Sequence, residues 1–481
     1  MPIYKDHLFR LGASGASAEE PVYEISNSIR FNDGDTPALK KTYPGAGTEE
    51  TFTFSCWVKR GNIGASLGGA GNYGLTLFSG GTNTSNYGEI RFESSGYGTQ
   101  DSLFFYNTAG GSFNMQLATN RLFRDTAAWY HIVCVMDTTN NVSSERLRMY
   151  INGQRETNFS AETYPAKDTA SNFNTATEHG VGVFAVSTDT RHFDGYLAEI
   201  HFLDGYAYGP EYFGVFNSSN IWIPIDYDTT TGNYGTNGFK IDGSDSATLG
   251  KNVATGNTYT SYASTNLDTN DQMSDSPNTN WCVMNPLLNN GCTYSNGNLE
   301  VAPPNNQSTH RLILGTHGID PSDTNKYYWE IKYLASDTVN AVNMLGIGGI
   351  ENPNNPASAT LNGGGDGYGL GYNTSTSNLY RGSNWTANGS PVWTGGFTAG
   401  AIYGVAYDGS TKRLYFYEND TALNSGNHFA TYTGSAFLTP GASLYHSSSS
   451  TKLIFNLGAN GFTYTPPTGY VALNTSNLFT G

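Results

Sequence analysis

Apolar side chains recur every second residue along much of this chain, and over no useful length every third or fourth. In Thr51 to Val58, Phe52, Phe54, Cys56 and Val58 fall on one side of an extended chain, opposed by Thr51, Thr53 and Ser55. Period two is the pattern of a half-buried strand. Arg146 to Ile151 repeats it with Leu147, Met149 and Ile151 inward, then meets Asn152-Gly153, the strongest short hairpin signal. Trp129 to Met136 is apolar at nearly every position, as in a strand covered on both faces. Val181 to Val186 reads as another strand, and so does Phe193 to Leu203, with Ala198, Ile200 and Phe202 opposed to Glu199 and His201.

The same grammar returns after Trp281. Asn296-Gly297 marks a turn, and Lys326 to Tyr333 alternates Tyr327, Trp329, Ile331 and Tyr333 against Lys326, Tyr328, Glu330 and Lys332. Ala341 to Ile350, Ala401 to Asp408, Lys412 to Asn419 and Lys452 to Leu457 follow as strands, and Tyr464-Thr465-Pro466-Pro467 closes the unit. Many short strands separated by turn signals predict an all-β chain of two tandem antiparallel β-sandwiches of jelly-roll type. Residues 1–24 read as an N-terminal arm, 25–222 as the first sandwich, 281–475 as the second and 476–481 as a tail. Residues 223–280 are Gly-, Asn- and Thr-rich with few apolar clusters, and read as a polar connector.

Composition narrows the function. Charged residues are 13% of the chain and aromatic ones 14%, the reverse of a disordered segment. Only 24 Lys and Arg stand against 40 Asp and Glu, a net charge of −16, so no nucleic-acid partner is expected. No apolar run reaches the ~20 residues of a membrane span, so no membrane insertion is expected either. The start, MPIYKDHLFR, lacks a basic region followed by an apolar core, and no secretory signal is read there. Cys56 and Cys134 sit in strand patterns and read as buried thiols, while Cys282 and Cys292 flank a loop as two thiols or a bridge.

Several segments carry resemblances. SIRFNDGD (28–35), TFTFSCWVKRG (51–61), RDTAAWYHIVCVMDTTN (124–140), LRMYINGQ (147–154) and FDGYLAEIHFLDG (193–205) resemble the concanavalin A-like lectin/glucanase superfamily in its laminin G-like form. NGNLEV (296–301), KYYWEIKYL (326–334), YGLGY (368–372), GAIYGVAYDGSTKRLYFYEND (400–420) and LIFNLGANGFTYTPPTGYVAL (453–473) resemble the SPRY/B30.2 family. The tandem behind a short arm also resembles structural proteins of marine bacteriophages, such as tail fibres and spikes. That resemblance implies a place on the virion, an arm that docks onto other virion proteins, a host-surface glycan or protein as partner, and a homo-oligomer, expected to be a trimer.

Catalysis has little support in the residues. Glycoside hydrolysis uses two carboxylates flanking the scissile bond. The glucanase string Glu-x-Asp-x-x-Glu is missing, and the nearest set is Asp194, Glu199 and Asp204. Asp194 and Glu199 differ in parity, as do Glu199 and Asp204, so an unbroken strand points them to opposite faces. Asp194 and Asp204 each precede glycine and read as turn residues. His131 reads as a satisfied sheet residue rather than a base. Asn32, Asp33 and Asp35 offer oxygen ligands of the kind Ca²⁺ takes, and an Asx turn accounts for the same residues. No enzyme, cofactor or metal is assigned.

Recognition is the expected function. Aromatic rings on loops stack on sugar or peptide faces at small entropic cost. The densest such set is Tyr380, Arg381, Asn384, Trp385 and Trp393, taken as the candidate binding residues, with Tyr368 and Tyr372 nearby. Residues 62–88 read as a long Gly- and Asn-rich loop for binding or subunit contact. The alternative function is a capsid decoration or connector protein whose sandwiches serve virion assembly.

Overall fold

The computed structural model describes residues 23–64, 74–94, 99–186, 191–227, 234–255, 260–288, 290–304, 310–334, 344–349, 368–373, 378–380, 393–394, 397–444 and 452–478. These residues form strands and short 3-10 turns, with no α-helix among them. Among the described residues no helix is long and apolar enough to cross a membrane. Of the arm read as residues 1–24, residues 1–22 lie outside them, and Tyr23 packs on the first unit instead, against the cluster of Ile25, Trp57 and Ala198.

The chain forms two compact units, with 19–278 in the first and 279–481 in the second. In the first, one eight-stranded sheet has Thr51–Arg60 at its centre, between Trp129–Asp137 and Gly195–Asp204. The other runs from Phe159–Thr163 through Ser112–Leu122, Ser102–Ala109, Asn86–Phe92, Leu75–Asn83, Glu178–Val181 and Ala38–Thr42 to Ala263–Thr265. The alternating Phe52, Phe54, Cys56 and Val58 all enter the core between the sheets. There the rings of Phe54 and Phe78 stack at 5.2 Å, and those of Phe52 and Phe202 meet at 5.2 Å. The hairpin after Leu147–Ile151 turns at Asn152 and Gly153, both with positive φ (48° and 77°).

Four features depart from the sequence reading. Residues 223–278 are part of the first unit rather than a connector. Phe239–Ile241 pairs with Gly195–Asp204, Ala263–Thr265 with Ala38–Thr42, and Gln272–Met273 with Ser28–Phe31. Single anchors (Tyr227, Tyr234, Tyr262, Met273) are each buried but stand too far apart to give a period, and the alternation of Phe239 and Ile241 lasts one step. Of residues 62–88, read as a loop, those described from 74 onward are largely strand, because Leu75, Leu77 and Phe78 bury in the core. The strand expected at Val181–Val186 is Glu178–Val181 instead, since Gly182, at φ +71°, turns the chain out of the sheet. Finally, Gly195–Asp204 carries a bulge at Glu199, whose φ is +46°. Ala198 pairs with Trp57 and His201 with Ser55, so one extra residue is inserted and the parity flips. Leu197, Ile200 and Phe202 therefore enter the core, while Ala198 faces outward against Trp57.

The outer face of the central sheet is covered too. Val133, Val135 and Leu203 lie under Phe213, Tyr227 and Tyr234, and Trp57 and Ala198 under Ile25, Tyr23 and Trp222. This explains why Trp129–Asp137 is apolar on both faces.

The second unit is also a sandwich, of nine- and six-stranded sheets. Lys326–Leu334 runs antiparallel between Ile402–Asp408 and Lys452–Asn456, and Tyr327, Trp329 and Ile331 are wholly buried. Tyr328 and Glu330, on the other face, are buried as well. The Glu330 carboxylate accepts from the amides of Thr463 (2.9 Å) and Tyr464 (2.8 Å) and from Asn456 Nδ2 (3.0 Å), which fixes the Tyr-Thr-Pro-Pro closure onto the sheet. All four cysteines are free thiols, so Cys282 and Cys292 form no bridge.

Candidate functional site

Of the five candidate binding residues, Tyr380 and Trp393 are placed, by backbone, on the short strands Asn378–Tyr380 and Trp393–Thr394 rather than on a loop. These strands pair with each other at one end of the six-stranded sheet, with Leu379 opposite Trp393. The third strand in, Tyr368–Asn373, carries Tyr368 and Tyr372. Arg381, Asn384 and Trp385 lie outside the described residues.

Asp194, Glu199 and Asp204 are not brought together. Asp194 is fully buried, with Oδ1 accepting from the Asn62 amide at 2.8 Å. Burial and the neighbouring Asp33 carboxylate push its pKa up to about 8, so it holds its proton well above the usual carboxylate range. Asp204 accepts from the amides of Thr48 (2.8 Å) and Asn237 (2.9 Å) and from Asn174 Nδ2 (2.6 Å). Both aspartates thus bind distant loops, and neither is confined to its own turn. Among the described residues no group of three or more His, Cys, Asp or Glu side chains is gathered as a metal ligand set. In Asn32–Asp35, Asn32 Nδ2 donates to Asp35 Oδ2 at 2.6 Å, while the Asp33 amide donates to Asp194 Oδ2 at 3.4 Å and ties the turn to that buried carboxyl.

Glu199 faces outward on its bulge. It accepts from Tyr23 Oη (2.8 Å) and His201 Nε2 (3.2 Å) and pairs with Lys240 Nζ (3.1 Å). Burial alone would raise its pKa, but His201, Lys240 and Tyr23 hold it at about 2. The carboxylate is ionised across the accessible pH range and cannot serve as a general acid.

His131 is equally closed. Its Nδ1 lies 3.0 Å from Trp222 Nε1, and its Nε2 2.9 Å from Ser55 Oγ. An indole N–H only donates, so Nδ1 is the acceptor and the ring proton sits on Nε2. His131 therefore donates to Ser55 and cannot take its proton. Burial, aided by His201, pushes its pKa down to about 3. The serine–histidine contact fixes the covering Trp222 and activates no nucleophile.

A third cluster escaped the sequence reading. Glu89 and Arg91 on Asn86–Phe92 and Glu93 just beyond it alternate, face away from the core and are all buried. Arg91 bonds Glu89 (3.1 Å) and Glu93 (2.9 Å), and Arg191 bonds Glu89 (2.7 Å). Thr76 and Tyr106 donate to the same Glu89 carboxylate. Burial opposes its charge, yet Arg191 and Arg91 hold its pKa below the usual value. The alternating Glu-x-Arg-x-Glu was the signal available, but charged residues on an outward face read as solvated. Each carboxylate here is committed to guanidinium partners, as in a structural network.

The fold is that of a lectin-like all-β protein with tandem sandwiches. The model of the concanavalin A-like lectin/glucanases superfamily, in a laminin G form, matches residues 33–208. No curated protein matches the chain. Among solved structures the chain is similar to domains LG4-5 of the mouse laminin alpha1 chain, at 10% identity over 95% of this chain and 96% of that one, with a TM-score of 0.30. It is similar to the SPRY domain of human HERC1 at 17% identity, over 34% of this chain and 91% of that one, with a TM-score of 0.26. It is also similar to the heptameric SAP-like pentraxin of Limulus polyphemus at 14% identity, over 39% and 80%, with a TM-score of 0.26.

Proposed function

We propose that the chain is a non-catalytic recognition protein that engages a glycan or protein on a host surface, as a virion component of tail-fibre or spike type. The observation that carries recognition over catalysis is the closure of the acidic clusters in the lectin-like unit. Glu199, Glu89 and Asp204 each spend their oxygens on partners within the fold. The virion setting and a trimeric state draw on the arm-plus-tandem pattern of the sequence. The test is glycan-array binding and blocking of phage adsorption by the whole chain. Retention of defined glycans and competition with the particle are expected; neither binding nor competition at millimolar glycan would remove the reading.

An assembly role has one observation in its favour. The ribbon of Gly214–Phe216 and Trp222–Pro224 exposes Val215 (46%), Phe216 (39%) and Ile221 (38%). Charged substitutions at Val215 and Phe216 that leave glycan binding intact but dissociate the oligomer would favour it.

A further inference from the structure

One side of the first sandwich is formed by edge strands of its two sheets. Sheet one ends in Leu147–Ile151 and the two-residue strand Gln154–Arg155, and sheet two ends in Phe159–Thr163. The last pairing slips at Phe159/Ala161, which bends that strand. Between the edges lies a cavity of about 250 Å³. That is roughly eight times the ~30 Å³ share of a liquid water, room for one small polyhydroxylated ring.

Its lining combines two chemistries. Leu147, Phe159 and Tyr164 supply apolar surface, and both rings are partly buried against the core. Arg155, Glu145 and Glu156 supply polar groups. Arg155 Nη1 holds Glu145 at 2.8 Å and its Nη2 holds the Ser144 carbonyl at 2.9 Å, so this pair is set without a ligand. Glu156, 8% exposed, is fixed by Arg121 at 3.0 Å and by the Thr157 and Asn158 amides. The charges are matched pair by pair, Arg155 with Glu145 at 2.8 Å and Arg121 with Glu156 at 3.0 Å. A net anion or cation gains nothing there, whereas hydroxyls can both accept from guanidinium and donate to carboxylate.

We propose that this edge cavity binds one neutral sugar ring, its C–H face on Phe159 and Tyr164 and its hydroxyls on the Arg155–Glu145 pair and Glu156. The inference rests on the glycan-recognition reading and gives it a site.

The test titrates the full chain with methyl α-glucopyranoside, methyl β-galactopyranoside and glucuronate. Affinity is read by calorimetry and location by hydrogen exchange. A neutral glycoside is expected to slow exchange within 144–164. Arg155→Ala, at an exposed rim position, is expected to weaken it about tenfold with an unchanged melting temperature. Glu145→Gln, which keeps the side-chain shape, checks the same pair. Array glycans bound equally by wild type, R155A and E145Q, or protection elsewhere in the chain, would overturn the cavity and leave recognition standing. Preference for glucuronate would overturn the neutral class. Failure of wild type to bind any glycan would remove the recognition reading and the cavity's role with it.

Discussion

Lys59 Nζ lies 2.7 Å from Asp275 Oδ2, and both side chains are buried, at 0% and 1% exposure. The pair joins the central strand of sheet one to a segment more than 200 residues later, with Trp129 Nε1 donating to the other Asp275 oxygen at 3.0 Å. Two charges removed from water are held by each other and by an indole, so removing one strands its partner. Asp275→Ala is expected to cost about 3–5 kcal/mol of unfolding free energy. Replacing both residues by apolar ones of similar size should recover most of that loss. Urea titration of the two variants checks the asymmetry; equal losses would show that the pairing is not what the fold depends on.

Because residues 223–278 cover and extend both sheets, the unit ends near Asn278 and not near residue 222. Asn278 closes it: its Oδ1 accepts from the Ile25 amide (2.9 Å) and its Nδ2 donates to the Tyr23 carbonyl (3.1 Å). A fragment of residues 23–278 should fold cooperatively. One of residues 23–222 should aggregate, since Val133, Val135 and Leu203 would lose Tyr227 and Tyr234 as cover. Size-exclusion chromatography and amide exchange of the two fragments distinguish these outcomes.

The strands themselves were readable because a sheet face enforces period two over every residue it covers. What escaped was whatever depends on a partner far along the chain. Tyr227, Tyr234 and Tyr262 are lone anchors in polar sequence, and a single buried ring leaves no period. Counting parity along Gly195–Asp204 assumes one residue per step, which the Glu199 bulge breaks. The tautomer of His131 is set by Trp222, 91 residues away, and no local pattern carries it. Arg91 between Glu89 and Glu93 reads as an exposed charged face until Arg191 arrives from another loop.

Buried neutral histidines give a pH dependence of known sign. Burial pushes His131 to about 3 and His179 to about 4, against ~6.5 in the unfolded chain. Between these values the unfolded chain binds protons that the fold refuses. Stability is then full above about pH 6.5 and falls on acidification, by roughly 1.4 kcal/mol per pH unit for each ring. His131→Gln keeps a donor and an acceptor and removes one titrating group. Its urea midpoint should start below wild type near neutrality and converge with it toward about pH 4.5. Parallel curves would contradict the assignment.

Gly153 sits at φ +77°, and a Cβ there would lie 2.3 Å from the Trp222 ring. Gly110 has φ +59° with nothing within 4 Å of its own would-be Cβ. Gly110→Ala should cost only the left-handed backbone term, about 1 kcal/mol. Gly153→Ala adds displacement of Trp222 and should cost about 1–3 kcal/mol more, with altered near-ultraviolet dichroism and tryptophan emission. An equal cost at both positions would mean that Trp222 is not packed on the turn.

Glu199 separates a structural from a catalytic reading of the outer face. Its backbone is in the left-handed region, which costs a non-glycine residue about 1–2 kcal/mol, and the side chain offsets this through Tyr23, His201 and Lys240. Glu199→Gln keeps the size and one acceptor but removes the charge that Lys240 faces, so stability should fall by about 1–3 kcal/mol. Glu199→Gly relieves the backbone but gives up all three contacts, and should be no more stable than the glutamine variant. Glycan binding should survive in the folded fraction of both, because the edge cavity has neither Glu199 nor its partners in its lining. Reducing-sugar release by wild type that E199Q abolishes would make the carboxylate catalytic. Its fixed ionisation beside Lys240, with no second carboxylate among its bonded partners, argues for a clamp on the start of the unit.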